Sequence, residues 1–535
     1  MNHKISTYLA AAAMATTVFS ACTSGFMKEY SQDLSRVQST DDLNELIVGD
    51  CLLPKGLFSY GGSSYSYENP NYAVLHFMGD EIQENLYLEG NNDLLGVRDT
   101  YYPYFTWQQN TYTDYEGKTT LKSNELNYWS LAYEKINNCN MVIEAADELS
   151  VTSEEDQMKL RRIKGEARFL RAFYYLTLAN LYGKPYAPST ASTTLTVPLK
   201  TSGKVENADF TRATAAEMYA QIVDDLEQAE HDYEGNTESL SIYHASLDAI
   251  YILHSRVALY MQDWQTAETY AKKALDKNDY LQSTIGLDES TYSISSDNEE
   301  VVYSNGASCL GNMLYCTPGK ESGWSDYRPV YTISDDLYNL YESNDSRKTS
   351  YITIQDDPNN NAPTYHKIDN SVASAGTYKS VSDVFSIRTA EAYLNMAEAE
   401  AQLGKDSEAC RWLNKLRSKR IEGNTALSLT GQELVSFIRD ERERELCLEG
   451  HRWFDLRRYT VDAKYPYSKE ITHTMTVVKY EGWDYVIDHT SYYTLEKNDD
   501  AYTLDIPIEE RDYQPGIGSN PRPVRNAVKT VTPND

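Results

Sequence analysis

One charged segment, RERELCLEGHRWFDLRRY (442–459), contains residue types that could transfer protons. Carboxylates beside a histidine suit general acid–base catalysis, and Glu449, His451 and Asp455 lie close together here. Arginines alternate with the carboxylates at spacings of three and four, which places opposite charges on neighbouring turns of a helix. Apolar residues such as Trp453 and Leu456 would carry such a helix into the core. We therefore predict a structural ion-pair network in this segment, without an active site.

Other catalytic and metal-binding patterns are missing from the sequence. The nine histidines are scattered without an H-E-x-x-H motif, and no G-x-S-x-G motif holds a nucleophilic serine. Acidic residues are numerous, but no motif singles out the two carboxylates that a glycoside hydrolase needs about 5–10 Å apart. No motif in the sequence therefore points to an enzyme, a metal site or a cofactor site.

Aromatic side chains are the second candidate for chemistry. The chain has 45 Tyr against 11 Phe, and rings concentrate in YYPYFTWQQNTY, residues 101–112. A sugar ring presents an apolar face, which an aromatic ring can cover, and a rim of hydroxyls, which polar side chains can bind. The stretch is therefore either packing beneath a loop or a platform for a sugar.

Eight residues are candidates for such a ligand site, chosen by loop position and composition. They are aromatic rings and nearby hydrogen-bonding groups, namely Trp107, Tyr104, Tyr102, Asp80, Arg98, Asn110, Trp324 and Tyr327. The last two lie in a second polar and aromatic stretch, CTPGKESGWSDYRP. Packing under a loop is the alternative for each ring.

The overall charge limits the range of partners. The chain of 535 residues has a formal net charge of −31 and a pI of about 4.7, and it contains no long basic run. A nucleic-acid-binding protein needs a basic stripe. Strong acidity also disfavours non-specific adhesion to anionic polymers. The sequence therefore predicts no nucleic-acid partner.

The N-terminus, MNHKISTYLAAAAMATTVFSAC, has the features of an export signal. Lys4 precedes an apolar stretch, Tyr8 to Ala21, that is too short to span a bilayer but suits a secretory signal. FSAC resembles a bacterial lipobox, so we expect residues 1–21 to be removed and Cys22 to be acylated, for example with palmitate. An ordinary signal peptide with an incidental cysteine is the alternative. No other segment has the 18 or more apolar residues of a membrane helix, so lipid would be the tether.

Five of the six remaining cysteines fall into two groups. Cys139, Cys410 and Cys447 lie inside helical patterns and are predicted to be small buried hydrophobes. Cys309 and Cys316 flank LGNMLY and could form a local disulfide in an oxidising compartment. Spacing alone leaves that pairing open.

Helical periodicity recurs in pairs along the chain. Apolar residues at steps of three and four predict helices within 126–149, 160–182, 211–230, 249–280 and 385–420. The fourth range reads as two helices joined by a tight turn at 262–264. Small residues would let these two helices cross closely, namely Ser255, Ala258, Ala267, Ala271 and Ala274. This is the antiparallel helix pair of tetratricopeptide repeats.

Long polar and aromatic insertions separate the pairs, at 54–120, 281–380 and 461–535. Loops of this length inside a compact domain are usually functional. A few short β-like runs, such as EEVVYSN, occur within them. We predict a mainly α fold of tetratricopeptide-like helical pairs, with loop-rich insertions and a few short strands.

In these features the chain resembles the SusD/RagB-type outer-membrane lipoproteins of the Bacteroidota. The matching segments are GEARFLRAFYYLTLANLYGKPY (165–186), TRATAAEMYAQIVDDLEQAE (211–230), RTAEAYLNMAEAEAQLG (388–404) and RERELCLEGHRWFDLRRY (442–459). The lipobox and the segment IPIEERD near the C-terminus add to the resemblance. The last residues, SNPRPVRNAVKTVTPND, depart from the Asn-Pro-Gly ending that is frequent in the family.

The resemblance implies one domain over 22–535, with an N-terminal part to residue 230, a C-terminal part from 231 and a ligand-face insertion at about 281–380. It implies a surface-exposed, lipid-anchored protein of the outer membrane. Such a protein captures a glycan and passes it to a SusC-like TonB-dependent transporter, without catalysis. Uptake of peptides or another nutrient is an alternative, and a surface glycoside hydrolase or a protein scaffold are others. Binding residues vary among members, so none transfers by alignment.

Overall fold

The structure, a computed structural model, describes residues 37–53, 74–85, 101–111, 113, 128–204, 209–238, 240–288, 291–305, 310, 331–354, 362–368, 381–482 and 484–533. Of residues 484 and 485 only the backbone is described. Six residues singled out from the sequence lie outside these ranges: Cys22, Arg98, Cys309, Cys316, Trp324 and Tyr327.

Helices dominate the described residues. In chain order they are α1 (Thr40–Leu46), α2 (Val74–Met78), α3 (Tyr128–Glu148), α4 (Glu154–Tyr182), α5 (Ala215–Asp232), α6 (Leu247–Met261), α7 (Trp264–Lys277), α8 (Asp335–Leu340), α9 (Arg347–Ser350), α10 (Thr389–Gln402), α11 (Asp406–Arg417), α12 (Gly431–Glu445), α13 (Arg452–Tyr459) and α14 (Ile508–Tyr513). A π turn over Ile47–Cys51 extends α1, and residues 101–105 form a short helical turn.

The long helices form a continuous array. Along it α3 packs on α4, α4 on α5, α5 on α6 and α6 on α7. The array continues with α10 on α7, and α11 and α12 both pack on α10. The insertion 281–380 thus separates helices that are neighbours in space. The array confirms the predicted tetratricopeptide-like helical pairs.

Local sequence signals set the ends of these helices. The Thr214 hydroxyl accepts a hydrogen bond from the backbone N–H of Glu217, whose carboxylate accepts from the backbone N–H of Thr214, so a capping box begins α5. Between α6 and α7, Gln262 adopts the left-handed conformation and Asp263 caps α7. The predicted tight turn at 262–264 is confirmed.

Small residues bring α6 and α7 close together. The Ser255 hydroxyl donates to the backbone carbonyl of Ala267 on the other helix at 3.0 Å. Ala258, Ala271 and Ala274 are all buried. A larger side chain at these positions would push the two backbones apart, so that the serine could no longer reach its acceptor.

The strands of the described residues are short, apart from one hairpin. They are β1 (Ile82–Glu84), β2 (Leu195–Pro198), β3 (Arg212–Thr214), β4 (Val301–Ser304), β5 (Tyr331–Ile333), β6 (Ile352–Ile354), β7 (Pro363–Tyr365), β8 (Ser386–Arg388), β9 (Ile471–Glu481), β10 (Asp484–Leu495) and β11 (Lys529–Val531). Antiparallel pairs join β1 to β5, β2 to β3, β4 to β8 and β6 to β7, and a three-stranded sheet has the order β11–β10–β9.

Strand pairing fastens the insertions to the scaffold. β4 pairs with β8, which leads directly into α10, and β1 pairs with β5 across the sequence. In the β9–β10 hairpin Ile471 lies opposite Leu495, both buried at the base. Among the described residues, no helix is both long enough and apolar enough to cross a bilayer. The predicted mainly α fold with a few strands is confirmed.

Candidate functional site

The charged segment 442–459 lies on α12 and α13 and forms a buried ion-pair network. The fully buried carboxylate of Glu445 accepts hydrogen bonds from Arg420 Nε at 2.8 Å, Arg347 Nη1 at 3.0 Å and Arg388 Nη1 at 3.1 Å. Burial alone would raise the pKa of Glu445, but the three arginines outweigh it and hold the pKa well below its usual value. The carboxylate is therefore ionised and fully engaged.

Two further carboxylates of the segment are paired in the same way. Glu449 accepts from Arg388 Nε at 2.8 Å and from Lys367 Nζ at 2.5 Å. Asp455 accepts from Arg458 Nε at 2.7 Å. All five side chains are buried. A reacting molecule would have to displace these contacts to reach either carboxylate.

His451, the candidate base of the segment, is also buried. Burial, together with Arg256 and Arg442 nearby, lowers its pKa well below the usual value. The prediction of a structural ion-pair network is confirmed. Its pairs are of two kinds. Asp455 pairs with Arg458 one helical turn away, as expected, whereas Glu445 is bound by arginines from distant parts of the chain.

Trp107, the first aromatic candidate, is fully buried. Its indole N–H donates to the backbone carbonyl of Met78 at 2.9 Å, and its ring stacks on His473 with centroids 4.5 Å apart. Both faces and the polar edge of the ring therefore belong to the core. The stretch was predicted either to pack beneath a loop or to bind a sugar. Trp107 packs in the core, and its ring exposes no surface to a ligand.

The backbone at Trp107 is unusual. Its φ of 51° lies in the left-handed region, just past the helical turn of 101–105. The N–H of Trp107 donates to the carbonyl of Tyr104 at 3.2 Å, and the N–H of Gln108 to that of Pro103 at 2.8 Å. These paired bonds are the Schellman ending of a helix, in which glycine usually takes the left-handed position. Here a tryptophan takes it.

Neighbouring tyrosines also contribute to the core. Tyr102 is buried, and its hydroxyl lies 3.2 Å from that of Tyr493 on β10. Tyr101 is buried as well and stacks on Phe77 with centroids 4.1 Å apart. Tyr102, like Trp107, therefore packs between the 101–107 segment and its neighbours. The core would have to open before Tyr102 could contact a ligand.

Asp80, the acidic candidate, is bound within the protein. Its buried carboxylate accepts from Arg452 Nε at 2.8 Å and from Lys469 Nζ at 2.6 Å. Both partners line a cleft of about 340 Å³, here called the α12 cleft, whose lining also includes Asp440 and Glu443. Asp80 does not line this cleft itself. It holds two cations of the lining in place, which is a positioning role.

A second cleft, of about 250 Å³, contains two of the candidate residues. Tyr104 and Asn110 lie on one side, together with Gln109, and residues 504–508 with Arg511 lie on the other. We call it the C-terminal cleft. Asn110 and Gln109 are exposed, whereas Tyr104 is largely buried and contributes only a small part of its surface. The volume is at the small end of ligand pockets, which begin at about 300 Å³.

Reciprocal hydrogen bonds hold the walls of the C-terminal cleft. The guanidinium of Arg522 donates to the backbone carbonyl of Gln108 at 2.7 Å, and the amide of Gln109 donates to that of Arg522 at 2.8 Å. On the opposite wall, the N–H of Leu504 donates to the carbonyl of Leu181 near the end of α4 at 2.9 Å. The C-terminal segment thus fixes one side and the helical scaffold fixes the other.

The two charged side chains that line the C-terminal cleft, Asp505 and Arg511, form an ion pair. One oxygen of Asp505 accepts the backbone N–H groups of Ile506 at 2.8 Å and Asn520 at 2.6 Å, and the other lies 3.2 Å from Arg511 Nη1. Burial lowers the pKa of the adjoining Arg522 to about 10, so it still carries its charge at neutral pH. The cleft offers amides, one ion pair and an apolar wall.

This combination suits binding through hydroxyl groups. Among the residues that line the C-terminal cleft, Asp505 is the single carboxylate, whereas glycoside hydrolysis uses two about 5–10 Å apart. The structure brings Tyr104 and Asn110 together here and places Asp80 elsewhere. The sequence analysis did not predict Asp505 and Arg511 as residues of this cleft, although Arg511 lies in the segment IPIEERD, which contributes to the family resemblance.

Comparison with known proteins decides the family. A sequence profile described as SusD family matches residues 212–522, more than half of the chain. The chain belongs to the SusD family. A second profile, described as starch-binding and associating with the outer membrane, matches residues 78–259. The two walls of the C-terminal cleft therefore fall within the two matched regions, one in each.

Individual similar proteins agree with this assignment. SusD-like protein P2 of Formosa agariphila is 25% identical over an alignment of 464 residues, which covers 78% of this chain and 87% of that protein. A SusD-like carbohydrate binding protein from Bacteroides vulgatus superposes with a TM-score of 0.66 at 22% identity, over 90% of this chain and 98% of that one. Surface glycan-binding protein A from Bacteroides uniformis superposes with a TM-score of 0.58 at 17% sequence identity. The superposition covers 90% of this chain and 99% of that one. The structural likeness shows a shared SusD fold.

Proposed function

We propose that this SusD-family protein is a glycan-binding lipoprotein of the outer membrane, held at the cell surface, without catalytic activity. It would pass captured oligo- or polysaccharide to a SusC-like TonB-dependent transporter. Family membership is the observation that carries the proposal. The glycan as ligand is supported by two proteins of the same fold, one described as carbohydrate binding and one as surface glycan-binding.

Among the described residues, the C-terminal cleft is the proposed contact with the ligand. The exposed amide of Asn110 and the partly exposed guanidinium of Arg511 can donate to sugar hydroxyls, and Asp505 can accept from them. Ile508, also partly exposed, can cover an apolar sugar face. A cleft of this size takes one or two sugar units and leaves the rest of a polymer outside. Arg98, Trp324 and Tyr327 stay predicted contacts on the insertions.

Calorimetry tests the proposal on the mature chain with a panel of soluble polysaccharides and oligosaccharides. We expect Asn110→Ala and Arg511→Ala each to weaken glycan binding about 10-fold, since each removes about one hydrogen bond to the ligand. Lys272→Ala, on the exposed side of α7, is the matched control. If a glycan binds and both cleft variants bind it like wild type, the cleft is not the contact.

Two other outcomes would change the proposal in different ways. Binding of peptides without any glycan would reject the glycan and keep the uptake role, which is the alternative function. Chromatography of a bound glycan after long incubation tests the absence of catalysis, because sustained release of shorter products would contradict it.

The location has its own experiment. We expect Cys22→Ala to move the protein from the membrane fraction to the soluble fraction, because the acylated thiol would be the tether. Wild-type protein purified from detergent-solubilised membranes should bring a transporter barrel with it. Recovery of a soluble complex in place of a barrel would favour a scaffold role.

A further inference from the structure

Two buried thiols meet beside the N-terminal helix. Cys51 ends the π turn that follows α1, and Cys139 lies in α3. Both side chains are fully buried where the π turn packs on α3, and the Cys139 thiol, as a hydrogen-bonding neighbour, raises the pKa of Cys51. The two residues are 88 positions apart in the sequence. Because the two cysteines are far apart in the sequence, only the tertiary fold brings them close together.

The backbone on both sides of this contact is held in place. The side-chain amide of Asn138 donates to the backbone carbonyl of Asp50 at 2.9 Å, and the Tyr174 hydroxyl donates to that of Cys51 at 2.7 Å. The π turn packs directly on α3. These contacts hold the backbone at Cys51 against the turn of α3 that carries Cys139.

We propose that Cys51 and Cys139 form a disulfide bond in the exported protein. The proposal rests on the proposed function for the compartment, since disulfides persist in exported proteins and are rare in the cytosol. Cys139 was expected to be a small buried hydrophobe, and it is buried as predicted. Its partner was not foreseen, because Cys51 has no sequence pattern that points to α3.

The reaction is an exchange with a disulfide of an oxidoreductase or of a small molecule. The thiolate of one cysteine attacks the oxidant and forms a mixed disulfide, and one oxidant sulfur leaves. The second cysteine then attacks the mixed disulfide and releases the other oxidant sulfur. Two protein thiols are oxidised, one external disulfide is reduced to two thiols, and the two protons pass to the released sulfurs.

The bond should form while the chain folds. The hydrogen bond with Cys139 and burial together raise the pKa of Cys51 well above its usual value, so the folded protein holds little reactive thiolate. Burial also keeps an oxidant away from the pair. Reduced, folded protein should therefore resist oxidants that oxidise the same pair during refolding.

The bond would link the membrane tether to the scaffold. Residues 37–53 are the first described segment after the proposed anchor at Cys22, and α3 begins the helical array. Without the bond, α1 and the π turn are held by packing and hydrogen bonds alone. With it, a force on the lipid anchor reaches α3 by a short covalent path that bypasses residues 52–138.

Peptide mapping tests the proposal on the full chain, expressed with its own N-terminus in an exporting host. Cells are denatured in N-ethylmaleimide without reductant and the digest is analysed by mass spectrometry. We expect the Cys51 and Cys139 peptides as one linked species that separates on reduction, with Cys410 and Cys447 carrying the label. Maleimide on both Cys51 and Cys139, or a link from either to another cysteine, would overturn the disulfide.

Fractionation of the same cells separates this inference from the proposed function. Free thiols in chain recovered with the outer membrane overturn the disulfide alone. Chain recovered in the cytosol with free thiols overturns the proposed location and the disulfide with it.

Thermal unfolding provides a second measurement. A closed loop of about 90 residues predicts that reduction in denaturant, followed by refolding under reducing conditions, lowers the melting temperature by about 4 °C. Cys139→Ser should not respond to reductant, whereas the matched control Cys410→Ser should respond like wild type. A wild-type melting temperature that is unchanged by this treatment counts against the bond.

Discussion

Replacement of Trp107 distinguishes a ring that packs from a ring that binds ligand. Trp107→Ala removes the stack on His473 and the indole N–H that binds the Met78 carbonyl. Truncation of a buried tryptophan costs about 3–5 kcal/mol, and the buried carbonyl left without its donor favours the upper part of that range. We therefore expect the free energy of unfolding to fall by about 4–5 kcal/mol.

Trp107→Gly sharpens the test, because the backbone here is left-handed. At a φ of 51° a residue with a Cβ atom is strained by about 1 kcal/mol relative to glycine. The glycine variant should therefore be more stable than the alanine variant by about that amount. In an ordinary helix the order would be the reverse, since glycine there is less stable than alanine.

Urea denaturation of the mature chain, followed by far-ultraviolet circular dichroism, measures both differences. Glycan affinity is then measured on each variant under conditions in which it is folded, and we expect it to match wild type. An alanine variant that keeps its stability within about 1 kcal/mol but loses glycan binding would show that the ring is a ligand platform. An alanine variant more stable than the glycine variant would refute the left-handed helix ending.

Three further predictions follow from buried charge and close packing. Glu445→Gln leaves three buried arginines facing an uncharged amide. Urea denaturation should therefore show that the free energy of unfolding falls by about 3 kcal/mol. The control Glu433→Gln, at an exposed position, should change it by less than about 0.5 kcal/mol. Burial raises the pKa of Glu81 to about 8 from 4.5, so this group stabilises the fold fully below pH 4.5 and loses that contribution as the pH rises through 8. The stability of wild type relative to Glu81→Gln should therefore fall by about 1 kcal/mol per pH unit across that window, and equal slopes for the two proteins would contradict the shift. Ala271→Leu should cost about 1–3 kcal/mol by forcing α6 and α7 apart, and a cost no larger than that of the exposed Lys272→Leu would refute the close crossing.

The scaffold could be predicted from the sequence because its signals are local. Apolar residues three and four positions apart specify which face of each helix is buried. The capping box at Thr214 and the turn at Gln262 depend on residues within four positions. Small residues such as Ala271 mark a close crossing wherever they occur in such a pattern. Each of these inferences needs only one turn or one helix pair.

The site residues could not be predicted in the same way, since their surroundings come from distant parts of the chain. Trp107 is taken into the core by His473, which lies 366 positions away. Asp80 is neutralised by Arg452 and Lys469. Local composition and position in a loop do not distinguish a buried ring from one that faces a ligand. Only the fold decides which side chains remain at a surface.

The excess of tyrosine has a structural cause that composition could not reveal. Tyr174 on α4 donates its hydroxyl to the backbone carbonyl of Cys51, and Tyr393 on α10 donates to that of Asp279, each outside the helix that carries the ring. Burial raises the pKa of Tyr174, so the hydroxyl keeps the proton it donates. A phenylalanine would fill the same space but leave a buried carbonyl unpaired, at a cost of about 1–3 kcal/mol. A helical scaffold that carries long insertions presses many loop carbonyls against helices, so a ring with a donor at its tip is favoured there whatever ligand the protein binds.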